Sequence, residues 1–148
     1  MKVVADASVT IAWLFAANAD EPGGDSALEL FEASGTGLIE LMQPPHWIAE
    51  TVAVAVRKDP SRTEAVIAIL KALGVETEAT ADILVRAADL ANRLNHHLFD
   101  TLYHAVALET GATLVTADDR YFAKARSQGH IVLLRDFQYP PESPATTT

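Results

Sequence analysis

Cysteine is absent from the 148 residues, which excludes disulfides, thiolate zinc sites and a cysteine nucleophile, and suits a reducing compartment. Basic charge is scarce. Lys and Arg number 11 against 20 Asp and Glu, for a formal net charge of -9. That balance argues against a protein that simply coats nucleic acid, because phosphate binding rests on Lys and Arg. It leaves open an enzyme that gathers acids around divalent cations. No apolar run approaches the roughly 20 residues that cross a bilayer, and the N-terminus lacks a basic signal-peptide start, so a soluble, cytoplasmic protein is expected. No internal repeat and no second domain is visible. Residues 1–137 read as one domain, long enough to bury a substantial core, and the Pro- and Thr-rich residues 138–148 read as a disordered tail.

What is present alternates strand and helix. Lys2 to Ala5 reads as an N-terminal strand ending on Asp6, after which Ser8 opens a helix. A loop with Pro22, Gly23 and Gly24 follows, and Asp25 is expected to cap a second helix ending at Gly35. Leu38 to Met42 is a strand candidate. Pro45 suits the first position of a helix running to about Arg57, with Glu50 in its second turn. The Asp59-Pro60-Ser61 break, a helix to Leu73, and a strand at best over Val75 to Glu78 come next. A long helix runs from about Thr80 to Leu94, with Ile83, Ala87, Leu90 and Leu94 on one stripe.

The most informative stretch is Asp100 to Arg120, DTLYHAVALETGATLVTADDR. A helix opening at Asp100 and stopped by Gly111 leads into the strand ATLV. About 11 helical residues rise roughly 16 Å, and about five strand residues return roughly 17 Å. Asp100 and Asp118 should therefore lie at the same end of the unit. A helix from Asp119 and a closing strand, HIVLL, complete the pattern. Strands alternating with helices imply an α/β fold with a parallel sheet covered on both faces, and in such sheets ligands collect beyond the carboxyl ends of the strands. Asp6 and Asp118 each follow a strand, Glu50 lies early in a helix after a strand, and Asp100 starts a helix running back from that edge.

Four carboxylates at one edge repel one another, and a hard divalent cation removes that cost. Mg²⁺ or Mn²⁺ prefers oxygen ligands and works characteristically on phosphates. Each acid also has a plainer reading. Asp6, Asp100 and Asp118 suit helix N-caps, and Glu50 an exposed helical position. His46 with Glu50, and Asp100 with His104, share helix faces at four-residue spacing, a pattern zinc could use, although HExxH is absent. His96 and His97 read as loop or packing residues. Arg120, Lys124 and Arg126 follow the acidic edge and are candidates for phosphate contacts, with a solvated helix face as the alternative.

Over nearly its full length the chain resembles the PIN-domain ribonucleases, especially the toxins of VapBC-type toxin-antitoxin pairs. The resemblance rests on VADAS, PPHWIAET and, most specifically, FDTLYHAVALETGATLVTADDRYFAKA. It implies a three-layer α/β/α domain with a central parallel sheet of four to five short strands. It further implies that Asp6, Glu50, Asp100 and Asp118 hold Mg²⁺ or Mn²⁺ for RNA hydrolysis, with Ser8 and Thr116 in support and Asp119 taking part through water or serving as a solvated or capping residue. A cognate antitoxin, an RNA substrate and a homodimer are the implied partners. One departure is Ala53, where such proteins often carry Asn, which puts local support of Glu50 in doubt. Three further readings stand beside the toxin: an RNA-processing nuclease of this fold, a non-catalytic partner-binding module, and a haloacid-dehalogenase-type phosphatase. The last is disfavoured by Ser8 where such enzymes need a second Asp.

Overall fold

The computed structural model describes residues 1–138. Residues 139–148, most of the stretch read as a disordered tail, lie outside them. Four short strands form one parallel sheet in the order β2-β1-β3-β4: β1 (Lys2–Ala5), β2 (Glu40–Leu41), β3 (Thr113–Thr116) and β4 (Ile131–Leu133). Val3 pairs with Leu41 on one side of β1, and Ala5 with Val115 on the other; Thr116 pairs with Leu133. Among the described residues seven α-helices flank the sheet: α1 (Ala7–Leu14), α2 (Gly24–Gly35), α3 (Trp47–Lys58), α4 (Thr63–Ala72), α5 (Ala81–Leu94), α6 (Leu98–Thr110) and α7 (Asp119–Ala125).

Side chains alternate across each strand, and the core divides accordingly. Val4 and Leu114 face a cluster with Trp47, Val66, Leu70, Ile83, Ala87, Tyr103 and Val106, drawn from α3, α4, α5 and α6. Val3, Ala5 and Val115 face the opposite cluster, with Ala27, Leu30 and Phe31 of α2, Ile39 and Leu134. The strands KVVA, EL and TLVT are buried on both faces except at their first residues, where Lys2 and Glu40 are exposed and Thr113 half-buried. The result is the three-layer α/β/α architecture expected.

Several boundaries differ from expectation for identifiable reasons. The expected strand Leu38 to Met42 contracts to two residues, with Leu38 64 % exposed. Val75 to Glu78 forms no strand, only a parallel bridge between Thr77 and Gln43. Helix α2 is capped by Gly23 in the left-handed region (φ 76°) rather than by Asp25, which lies in the first turn. That early start lets Gly24 lie against the Ala16 backbone, where an added Cβ would come within 3.0 Å. Helix α3 begins at Trp47, after both prolines. Helix α6 begins at Leu98, not Asp100, because the His97 carbonyl already accepts from the Asp100 and Thr101 amides (both 3.1 Å). Asp100 is thus the third residue of the helix, where its charge still favours the positive N-terminal end.

Candidate active site

Strand β1 runs directly into Asp6, and the adjacent parallel strand β3 runs through Ala117 into Asp118, so both acids leave the same edge of the sheet. The Asp6 amide donates to Val115 O (3.3 Å), fixing the two strand ends to each other. Gln43 reinforces this from the other side. Its buried side-chain amide accepts from Ala5 N (2.9 Å) and donates to Ala5 O (2.8 Å), continuing the ladder where β2 has stopped. Helices α3 and α6 then bring Glu50 and Asp100. All four acids line one small chamber of about 70 Å³, together with Ala7, Ser8 and Tyr121.

Capping and site membership prove compatible. Asp6 caps α1, its Oδ1 accepting from Val9 N (3.3 Å) and from the Ser8 hydroxyl, while Asp118 caps α7 through Oδ1 and Tyr121 N (3.0 Å). Ser8 Oγ also accepts from Ala117 N (2.9 Å), and Thr116 Oγ1 accepts from Asp118 N (3.0 Å). Ser8 therefore bridges the two strand ends, and Thr116, which also bonds the Asp6 carboxyl, does so as well. On the helical side, Glu50 Oε2 lies 3.2 Å from His46 Nε2, and Asp100 Oδ2 lies 2.9 Å from His96 Nε2. Asp6, Asp100 and Asp118 thus each have an oxygen held by a hydrogen bond, whereas His46 Nε2 gives its hydrogen to the Phe99 carbonyl (2.9 Å) and only lies beside Glu50. Among the described residues the second oxygens of Asp100 and Asp118 take no hydrogen bond.

The electrostatics match a crowded acidic site. Burial, reinforced by the charge of Asp118, pushes the Asp6 carboxyl up to about 6, against the opposing hydrogen bonds from Ser8, Thr116 and Val9. Tyr103 is buried behind these acids, and its phenol is pushed well above its ordinary range by burial and by Glu50, Asp6 and Asp100. Its hydroxyl lies in the field of Glu50 yet makes no hydrogen bond of acceptable geometry. Tyr121 is likewise raised by burial and then by Asp100 and Asp6.

A larger cleft of about 350 Å³ adjoins the chamber, shares Asp100 and Asp118 with it, and is otherwise lined by Asn95, His96, His97, Arg120 and Lys124. Arg120 and Lys124 therefore line the cleft beside the acids. Arg126 does not; its guanidinium lies over the Phe122 ring (5.7 Å) and it is not among the residues lining the cleft. Asp119 is exposed and pairs with Arg135 (2.7 Å) outside the chamber, a solvated role. His104 turns away from Asp100. Its Nδ1 meets the Tyr121 hydroxyl (2.9 Å) and its Nε2 the Gly129 carbonyl (2.8 Å), so burial lowers its pKa and both nitrogens are occupied. The zinc reading of Asp100 with His104 loses its ligand.

Sequence reasoning passed over Gln43, set His46 beside Glu50 only as a zinc pattern, and read His96 as a loop or packing residue. For the histidines the four-residue spacing to Glu50 and Asp100 was the available signal. Gln43, beside two prolines, offered none.

Whether these donors suit a divalent cation can be judged from their chemistry. The chamber is lined by carboxylate oxygens, no basic side chain, and a carboxyl whose ionisation is opposed by its surroundings, a charge crowding that a hard cation would relieve. The acids surround the space without closing on a point: among the described residues no three His, Asp or Glu side chains form a ready ligand cluster. The donor set fits such an ion, and binding would draw the carboxylates inward.

The family model for the PIN domain matches residues 3–127. The chain belongs to the PIN domain family. Among solved structures, this PIN domain is similar to the crystal structure of VapBC2 from Rickettsia felis bound to a DNA fragment from their promoter. The TM-score is 0.63 and the identity 17 %, over 90 % of this chain and 97 % of that one. That likeness is one of fold. No curated protein matches the chain.

Proposed function

We propose that this PIN domain is a divalent-metal-dependent endoribonuclease and the toxin of a type II toxin-antitoxin pair. The observation that carries the reading is the convergence of Asp6, Glu50, Asp100 and Asp118 on one chamber beside a cleft bearing Arg120 and Lys124. Asp6, Glu50, Asp100 and Asp118 would hold Mg²⁺ or Mn²⁺. When bound, such an ion supplies a water activated for attack on phosphorus and neutralises charge on the phosphodiester. The chain's own residues do the rest. Arg120 and Lys124 bind the phosphates flanking the scissile bond and offset charge developing on it. Ser8 and Thr116 keep Asp6 and Asp118 at the edge of the sheet.

The toxin assignment draws on family membership and on the fold shared with VapBC2. A cognate antitoxin fits two features of the surface: exposed apolar side chains on α5 and α6, notably Val85 and Phe99, and a net charge of -9 that suits a basic partner segment. A homodimer is the expected state of the toxin. No helix of the described residues is long and apolar enough to cross a membrane, in keeping with a cytoplasmic site of action.

The test is cleavage of a defined single-stranded RNA with Mg²⁺ or Mn²⁺. Wild type should cut it, EDTA should stop the reaction, and Asp6→Asn and Asp100→Asn should abolish it. Activity that survives either substitution refutes the assignment. Expression should arrest growth, and a neighbouring small open reading frame should relieve the arrest. Cleavage without arrest would mark an RNA-processing nuclease instead, and neither would mark a non-catalytic module.

A further inference from the structure

Two of the four acids stand on helices, and each is met by a histidine one turn nearer the N-terminus: His46 before Glu50, and His96 before Asp100. The second pair belongs to a longer chain of bonds. Lys124 Nζ lies 3.3 Å from His96 Nδ1 and 3.2 Å from the carbonyl of Asn95, whose left-handed backbone (φ 49°) ends α5. An ammonium has only donors and an ionised carboxylate only acceptors. His96 Nδ1 must therefore accept from Lys124, and Nε2 must carry the hydrogen and give it to Asp100 Oδ2 at 2.9 Å. The tautomer of His96 is dictated from both sides. The ring has little freedom to do otherwise, since its side chain is only 10 % exposed and it packs on Tyr121 with centroids 4.8 Å apart.

The location of this chain gives it consequence. Lys124 lines the cleft, Asp100 lines both cleft and chamber, and His96 joins them. We infer that His96 is a positioning residue that fixes the Asp100 carboxylate through Nε2-H and ties it to Lys124. Cation affinity in the chamber is thereby coupled to phosphate contact in the cleft. This inference rests on the function proposed above and names the residue that links its two halves. Groups that hydrogen-bond a metal's ligands commonly alter metal affinity or activity 10- to 100-fold when removed.

The alternative role for His96 is to fill space against Tyr121. His96→Phe keeps an aromatic ring there and removes both hydrogen bonds. His96→Gln offers one acceptor and one donor at nearly the separation of the two ring nitrogens. Calorimetric titration with Mn²⁺, without RNA, should show at least about tenfold weaker binding for His96→Phe and recovery to within about threefold for His96→Gln. Lys124→Met removes a positive charge as well as the bond to His96, so the shared path is read from the double-mutant cycle. Its effect on Mn²⁺ affinity should be less favourable in the wild-type background than in His96→Phe, and equal effects in both would break the link. At saturating Mn²⁺, His96→Phe should lower kcat and Lys124→Met should chiefly raise KM. In the metal-free protein, nitrogen-15 signals of His96 should report the Nε2-H tautomer.

Mn²⁺ affinity in His96→Phe within twofold of wild type, a Gln variant as weak as the Phe variant, or an Nδ1-H tautomer would each overturn the inference while leaving the nuclease assignment standing. A wild-type protein that neither binds Mn²⁺ nor cuts RNA would overturn both.

Discussion

Replacing Asp6 by Asn tests the electrostatics of the chamber without disturbing its framework. Asn is as good an N-cap as Asp, so the acceptor for Val9 N-H and the Ser8 hydroxyl is retained while the charge is lost. Burial raises the Asp6 carboxyl from 3.8 to about 6, so between those values the folded protein binds more protons than the unfolded chain. Stability must therefore fall as pH rises through that window and stay low above it. A shift of roughly two units corresponds to about 3 kcal/mol, which solvent at this half-buried group reduces to about 2 kcal/mol. In EDTA at pH 7.5, Asp6→Asn should melt roughly 5 °C above wild type, and near pH 3.5 the difference should vanish. Mn²⁺ at about 100 times its dissociation constant should then stabilise wild type by about 2.7 kcal/mol and the variant far less, reversing the order. A variant less stable than wild type in EDTA at pH 7.5, or a gap indifferent to pH, would refute the reasoning.

Other perturbations separate framework from chemistry. Gln43→Leu strands the amide and carbonyl of Ala5 and should cost about 2–3 kcal/mol in urea denaturation, with RNA cleavage falling as the end of β1 loosens. Tyr121→Phe strands His104 Nδ1 and should destabilise the metal-free protein by about 1–2 kcal/mol in thermal melts. Arg120→Met and Lys124→Met should each reduce the salt dependence of single-stranded RNA binding by about 0.7 in the log-log slope, while Arg126→Met should leave it unchanged.

The parts of the site legible in the sequence are those carried by connectivity. Asp6 and Asp118 follow buried strands directly, and parallel pairing of β1 with β3 leaves them no choice but the same edge. Glu50 was placed by its position early in a helix after a strand and Asp100 by helix and strand lengths, and an error of two residues in the start of α6 did not move Asp100 from the chamber, because its first turn lies at that edge. Single-residue contacts across the fold were not legible. Gln43 acts as a strand through its side chain, which no periodicity records. His96 and His104 have similar local signals, each four residues from Asp100, yet one bonds to that acid and the other to Tyr121 and Gly129. Only the packing of α6 against α7 and the turn at Gly129 decides between them. Lys124 and Arg126, two residues apart, likewise point to different surroundings.

The most direct test of the central claim is a crystal structure of the protein grown with Mn²⁺, read by anomalous scattering. Anomalous density in the chamber, with oxygens of Asp6, Glu50, Asp100 and Asp118 drawn in around it, is the predicted result. Manganese bound elsewhere, or a chamber that stays empty at millimolar Mn²⁺, would contradict it.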